Sequence, residues 1–109
     1  MDEQELLSKI RALVDRPATP DLIVGNGDDG AVINAGSTNV VVSTDIAVEG
    51  VHFRRDWSTP YQIGRKITAA NLADICAMGG WPRFLLVSAV IPHSFLDHVE
   101  ELTRGIADE

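Results

Sequence analysis

Residues Tyr61–Gly80 read YQIGRKITAANLADICAMGG. Their spacing predicts a helix over 61–78. Ile63, Ile67, Ala70, Ile75 and Met78 fall on one stripe of a wheel that turns about 100° per residue. Gly79-Gly80 supplies a C-terminal stop, and Trp81-Pro82 follows as expected beyond a helix end. One feature departs from an ordinary amphipathic helix. Asp74 falls in the middle of the apolar stripe, and Asn71 falls inside it. An ionised carboxylate facing a core is costly unless it is paired or binds a cation. Arg65 and Lys66 lie away from Asp74 on the wheel. The pattern therefore singles out Asp74 as a candidate metal ligand, with a buried ion pair as the plainer alternative.

The flanks of this helix read as strands. Upstream, Val40-Val41-Val42-Ser43-Thr44 is β-branched at nearly every position and predicts a strand over 40–44. Ile46–Phe53 predicts another, kinked near Gly50. Downstream, Phe84–Ile91 is apolar on both faces and predicts a central strand. Pro92-His93-Ser94 then leads into a last helix, with Ser94 as its N-cap and Phe95, Val99, Leu102 and Ile106 at helical spacing. Nearer the amino terminus, Leu22-Ile23-Val24 and Ala31–Asn34 are two short strands around Gly25–Gly30. Residues 2–14 form an amphipathic helix on Leu6, Leu7, Ile10, Leu13 and Val14, and Asp2 with Glu5 has capping-box spacing. Arg16-Pro17-Ala18-Thr19-Pro20 breaks that helix. The order of helix, strands, helix, strand and helix predicts an α+β fold. It divides into a helix and linker over 1–18 and a domain over 19–109. The last helix runs to Glu109 with no Gly or Pro stop, so the domain is expected to be cut from a longer chain.

Composition narrows the function. The 109 residues carry 16 Asp and Glu against 9 Lys and Arg, a formal net charge of −7. Nucleic acid and anionic membrane surfaces would repel such a chain, so neither is an expected partner. The single cysteine, Cys76, permits no internal disulfide. The start is acidic where a secretory signal is basic and then apolar. The apolar run Phe84–Pro92 is too short to span a bilayer. A soluble, cytoplasmic protein is expected.

The acidic residues fall into three motifs: Gly27-Asp28-Asp29, Ser43-Thr44-Asp45 and Asn71-Leu72-Ala73-Asp74. Gly25-x-Gly27-x-x-Gly30 matches the dinucleotide fingerprint, and Asp45 sits twenty residues past Gly25. The match lacks the helix that must follow the glycines, and two adjacent aspartates repel a pyrophosphate. Asp28 and Asp29 also suit an ordinary turn. Along the strand at 40–44, Val41, Ser43 and Asp45 share one face. Ser43, Thr44 and Asp45 together offer the oxygen ligands that hard cations use, or simply a polar strand end. Taken together, Asp28, Asp29, Asp45 and Asp74 suggest a cluster that only cations would hold together. Oxygen-only ligands favour Mg²⁺ over zinc, and phosphate chemistry is the usual work of several Mg²⁺ ions. There is no Walker A lysine loop. His52, after Glu49-Gly50-Val51, suits a phosphate contact or plain packing. His93 and His98 read as structural, and Cys76 as packing.

As an ordered set, Gly27-Asp28-Asp29, Val42-Ser43-Thr44-Asp45, Val48-Glu49-Gly50-Val51-His52-Phe53, Gly64-Arg65-Lys66 and Asn71–Gly79 resemble the thiamine-monophosphate kinases. These belong to the aminoimidazole-ribonucleotide synthetase-like superfamily. The resemblance covers about residues 20–92. It implies the amino-terminal domain of that type, a mixed β-sheet with helices packed on one face. It implies transfer of the γ-phosphoryl of ATP to thiamine monophosphate, giving thiamine diphosphate, with several Mg²⁺ ions. Carried over by motif, Asp29, Asp45 and Asp74 would be metal ligands, with Ser43 and Thr44 adding oxygens. His52 would contact the substrate, while Asp28 has a less definite place. The resemblance also implies a homodimer formed through this domain. Family members continue into a Gly-Gly-Asp motif and a second domain, so the 109 residues by themselves are expected to lack kinase activity.

Two other readings remain open. One keeps the superfamily and changes the substrate, as in selenophosphate synthetase, a hydrogenase maturation factor or a purine cyclo-ligase. Cys76 does not sit in the glycine-rich loop where selenophosphate synthetases carry their cysteine or selenocysteine. The other is a non-catalytic, metal-binding dimerisation module.

Overall fold

The computed structural model describes residues 2–15, 22–24 and 32–109. The chain divides into two units, Met1–Val40 and Val41–Glu109. Asp28, Asp29, the glycine fingerprint around them and the linker boundary expected at 18–19 lie outside the described residues.

In the first unit, helix α1 spans Glu3–Val14, within the span expected. The Glu5 N–H donates to Asp2 Oδ1 at 2.8 Å, and the Asp2 N–H donates to Glu5 Oε2 at 3.3 Å. The capping box therefore forms with aspartate in place of serine or threonine. Glu3 and Glu5 in the first turn and Arg11 in the last complement the helix dipole. No residue of α1 is buried. Strands β1 (Leu22–Val24) and β2 (Val32–Ile33) pair antiparallel, Leu22 with Ile33 and Val24 with Val32. The register shifts between the two pairs, which is the signature of a bulge. After β2, the Asn34 side chain accepts from the Gly36 N–H at 2.9 Å, and Gly36 takes φ +68°. That is the Asx turn its sequence favours.

The second unit is built on two helices. Helix α2 spans Pro60–Ala77 and α3 spans Val99–Asp108. Thr59 caps α2 with a second capping box. The Gln62 N–H donates to Thr59 Oγ1 at 3.2 Å, and the Thr59 N–H donates to Gln62 Oε1 at 2.9 Å. Pro60 opens the helix where a missing N–H costs nothing. The expected glycine stop is a Schellman motif. The Gly79 N–H donates to Cys76 O and the Gly80 N–H to Ile75 O, both at 3.0 Å, with Gly79 at φ +80°.

Two glycines set how closely α2 and α3 cross. A Cβ on Gly64 would run into the Leu102 carbonyl oxygen, and one on Gly105 into the Tyr61 carbonyl oxygen. Each helix thus presses backbone against backbone at the other's glycine. Ile63, Thr68, Phe95, Val99 and Thr103 are buried around this crossing. The Thr103 hydroxyl donates to Val99 O at 2.7 Å, which satisfies it inside the core. At the far end, the Tyr61 hydroxyl donates to Asp108 Oδ2 at 2.8 Å, and Arg65 Nε pairs with Glu109 Oε2 at 2.9 Å.

Several expectations change here. The covered face of α2 runs through Ile63, Gly64 and Thr68. It keeps Ile63 from the expected stripe but is rotated away from Asp74 and Met78, because α3 comes closest at the glycine. Asp74 is exposed, and Met78 is 72% exposed. Cys76, expected to pack, is exposed as well. Residues 40–44 and 84–91 are not strands. An extended segment becomes a strand only when a neighbour takes its N–H and C=O groups, and among the described residues none pairs with either. Over 46–53 there is no strand but a single parallel bridge, Glu49 with Phe53, turning at Gly50 with φ +84°. Ser94 is not an N-cap. A 3-10 helix, His93–His98, precedes α3, and the Phe95 N–H closes its first turn on Pro92 O at 2.9 Å. With that bond in place the turn does not need the serine hydroxyl. Among the described residues, then, the architecture is α+β with one two-stranded antiparallel sheet.

Candidate functional site

The described candidates fall on two segments of the second unit and on α2. Ser43, Thr44 and Asp45 lie together on the exposed stretch that precedes the Val48–Phe53 loop. Asp45 Oδ1 accepts from the Ile46 N–H at 2.8 Å, which holds the carboxylate against its own backbone. Asp74 stands on the exposed side of α2, one turn before the Schellman stop. Asn71, from the same motif, turns its amide back to the Ile67 carbonyl at 2.9 Å. Among the described residues no three His, Cys, Asp or Glu side chains gather as a metal cluster. In kind, the donors fit a hard cation: carboxylate and hydroxyl oxygens, exposed, with no nitrogen or sulfur among them. The desolvation expected for Asp74 is absent, so its case rests on donor chemistry and motif.

The Val48–Phe53 loop is the best-defined part of the site. It closes on itself through the Gly50 N–H to Phe53 O at 2.7 Å, the Val51 N–H to Val48 O at 3.1 Å and the His52 N–H to Val48 O at 2.8 Å. The His52 ring joins the closure, with Nδ1 accepting from the Val48 N–H at 2.8 Å. An acceptor Nδ1 carries no proton, so the neutral ring carries its proton on Nε2. Gly50 supplies the left-handed backbone that the turn requires. Glu49 pairs with Arg55 Nε at 2.6 Å, and the Arg55 guanidinium lies 5.4 Å from the centre of the Phe95 ring. Lys66 reaches from α2 to the His52 carbonyl, with Nζ to O at 3.0 Å.

Next to this loop, Arg54 makes two bonds to Asp56, at 3.0 and 2.7 Å, and its guanidinium lies 4.7 Å from the Trp57 ring centre. Both charged side chains are about half exposed, so the pair adds little stability. A shallow open depression lies beside it, lined by Arg55, Trp57, Thr59 and His98 among others. It does not include His52, Asp45 or Asp74. His98 packs its ring 5.5 Å from Phe95, in keeping with a structural role.

The sequence pointed to His52 but not to the contacts that orient it. Lys66 lies fourteen residues away on another element, and no periodicity connects the two. The imidazole–Val48 contact had a weak local signal: a histidine four residues past a backbone amide, with a glycine between them to turn the chain.

Comparison with known proteins agrees with the motif order. Residues 27–109 match the family of the AIR synthase related protein, N-terminal domain, and the chain belongs to that family. Among curated relatives, the thiamine-monophosphate kinase of Mycobacterium tuberculosis is 55% identical over 64 residues, 59% of this chain and 19% of that protein. The enzyme of the same name from Corynebacterium glutamicum is 48% identical over 84 residues, 74% of this chain and 25% of its own length. That from Bacillus subtilis is 40% identical over 98 residues, 89% of this chain and 30% of its own length. The chain thus spans between 19% and 30% of these relatives. No solved structure matches. The resemblance drawn from the motifs stands, and among the described residues no helix is long and apolar enough to cross a membrane.

Proposed function

We propose that this chain is the amino-terminal part of an enzyme that transfers the γ-phosphoryl group of ATP to thiamine monophosphate. The observation that carries this reading is the 40–55% identity to thiamine-monophosphate kinases from three genera. It is supported by the ordered Val48–Phe53 loop, where His52 Nδ1 accepts from the Val48 N–H and Nε2 is left as the donor nitrogen for an anionic substrate. Ser43, Thr44, Asp45 and Asp74 would hold Mg²⁺ through oxygen atoms. Asp29 joins that ligand set on its motif alone. When bound, the metal would neutralise charge on the transferred phosphoryl group. The chain's own residues do the rest: His52 donates to substrate, and the Asp45 and Asp74 carboxylates stand exposed. ATP as co-substrate goes with a cytoplasmic setting.

The same reading takes residues 40–44 and 84–91, which are not strands in the single chain, as segments that join a mixed sheet only in a homodimer. Val42 is 83% exposed, Leu86 89% and Val90 98%, an arrangement that favours burial against a partner strand.

Incubating the whole polypeptide that carries residues 1–109 with ATP, Mg²⁺ and thiamine monophosphate should give thiamine diphosphate. No product would end the reading. In that assay Asp74→Asn should weaken Mg²⁺-dependent activity at least about tenfold, the loss typical even of residues that only support a metal ligand. An unchanged magnesium dependence would remove Asp74 from the site.

A further inference from the structure

The Lys66–His52 contact joins two elements and does something specific to the loop. The loop already closes on its own amides, with the Val48 carbonyl accepting from two N–H groups and the Val48 N–H donating to His52 Nδ1. What the loop does not fix by itself is its orientation with respect to α2. Lys66 Nζ donates to the carbonyl of His52, the residue whose ring completes the closure. A cation on that carbonyl also draws electron density from the peptide bond, a charge-assisted contact stronger than a neutral one. The carbonyl and the ring belong to one residue, so holding the first limits where the second can swing. The ring is pinned at Nδ1 and bears its proton on Nε2, the far nitrogen. A second cation, Arg55, ties the other side of the turn through Glu49 at 2.6 Å.

We propose that Lys66 is a positioning residue: it docks the Val48–Phe53 loop on α2 so that His52 presents a fixed Nε2–H donor to an oxyanion of the substrate. This rests on the reading of His52 as the substrate contact and adds how its tautomer and direction are set. The role needs a flexible cation that reaches a carbonyl, which arginine supplies and methionine does not. Lys66 itself need not touch substrate.

The test uses the whole polypeptide carrying this chain, with Lys66→Met, Lys66→Arg and His52→Gln. Lys66→Met should raise KM for thiamine monophosphate about tenfold, the loss expected when one oriented hydrogen bond is no longer held. It should leave KM for ATP and kcat within about threefold, since remote groups are untouched. Lys66→Arg should restore most of the loss, and His52→Gln combined with Lys66→Met should be no worse than His52→Gln alone. The readout independent of activity is the imidazole ¹⁵N spectrum at neutral pH, assigned by the signal lost in His52→Gln. The parent should show a pyridine-like Nδ1 and a pyrrole-like Nε2, and Lys66→Met should move both toward the averaged values of a free histidine. An unchanged His52 spectrum in Lys66→Met would overturn the proposal, as would an unchanged KM in a working enzyme or additive losses in the double variant. If the polypeptide phosphorylates no thiamine monophosphate, the function reading fails, while the spectrum still decides whether Lys66 sets the ring.

Discussion

The α2–α3 pair carries only a narrow apolar face and the segment Phe84–Ile91 is apolar almost throughout, yet the helices are the part that buries its side chains. The helices bury Ile63 to 1% and Val99 to 2% exposure, whereas Leu86 is left 89% and Val90 98% exposed. The difference does not lie in hydrophobicity. A helix satisfies its backbone internally, so two helices need only matching surfaces to pack. Here the match is supplied by Gly64 and Gly105, each fitted against the other helix's backbone. A strand leaves its backbone groups to a neighbour, and without one its side chains have no sheet to stand on. Local order in this protein therefore follows backbone self-sufficiency first and apolar content second.

The sharpest way to break that contrast is at the glycines. Gly105→Val should destabilise the second unit by about 3 kcal/mol or more, because the added carbons meet the Tyr61 carbonyl, which cannot move aside. Denaturant unfolding monitored by circular dichroism checks this, and a loss under about 1 kcal/mol would mean the helices do not cross so closely. On the other side of the comparison, Leu86→Lys with Val90→Lys should leave the helix transition within about 0.5 kcal/mol, as expected for exposed positions. The same pair should reduce self-association seen by sedimentation. If the helices unfold instead, the segment is part of their core.

Smaller effects refine the picture. Thr59→Ala removes one half of the α2 capping box and should cost about 1 kcal/mol. Since α2 carries the crossing, that loss should appear in the same transition as the glycine variant. The smallest effect is at the helix ends. The Tyr61 hydroxyl is held above its ordinary value near 10, first by its hydrogen bond to Asp108, then by partial burial and the Asp108 charge, against an opposing pull from Arg65. A folded-state value raised above the unfolded one gives stability that is complete below the unfolded value and lost as pH rises through the folded one. The α2–α3 contact should therefore weaken above about pH 10, and Tyr61→Phe should abolish that alkaline step. A pH titration of thermal unfolding for the two proteins compares them directly.

The helices were legible because their signals are local. Asp2 with Glu5 capped α1, Gly79-Gly80 closed α2, and Phe95 and Val99 entered the core from either side of a 3-10 to α-helix junction. Leu22–Val24 and Val32–Ile33 were also legible, since the hairpin needs only itself. The strands expected at 40–44 and 84–91 did not form in the same way: β-branching states a preference, but pairing is a property of two segments. Asp74 shows the same limit from the side of the site. The wheel centred the buried face between Ile67 and Met78, while the structure kept Ile63 buried and turned the rest of that face toward Gly64 and Thr68, because only glycine allows α3 so near.

By itself the sequence determined the helices, the Asp2 cap of α1, the glycine stop of α2, the two short strands, the acidic character and the order of motifs that places the chain in its family. Each depends on neighbours in the chain or on residue identity alone. Only the tertiary structure decided which face of α2 is covered, that Asp74 and Cys76 are exposed, and that Lys66 meets the His52 loop. Those outcomes depend on how closely two backbones approach, a distance that no periodicity along one of them contains.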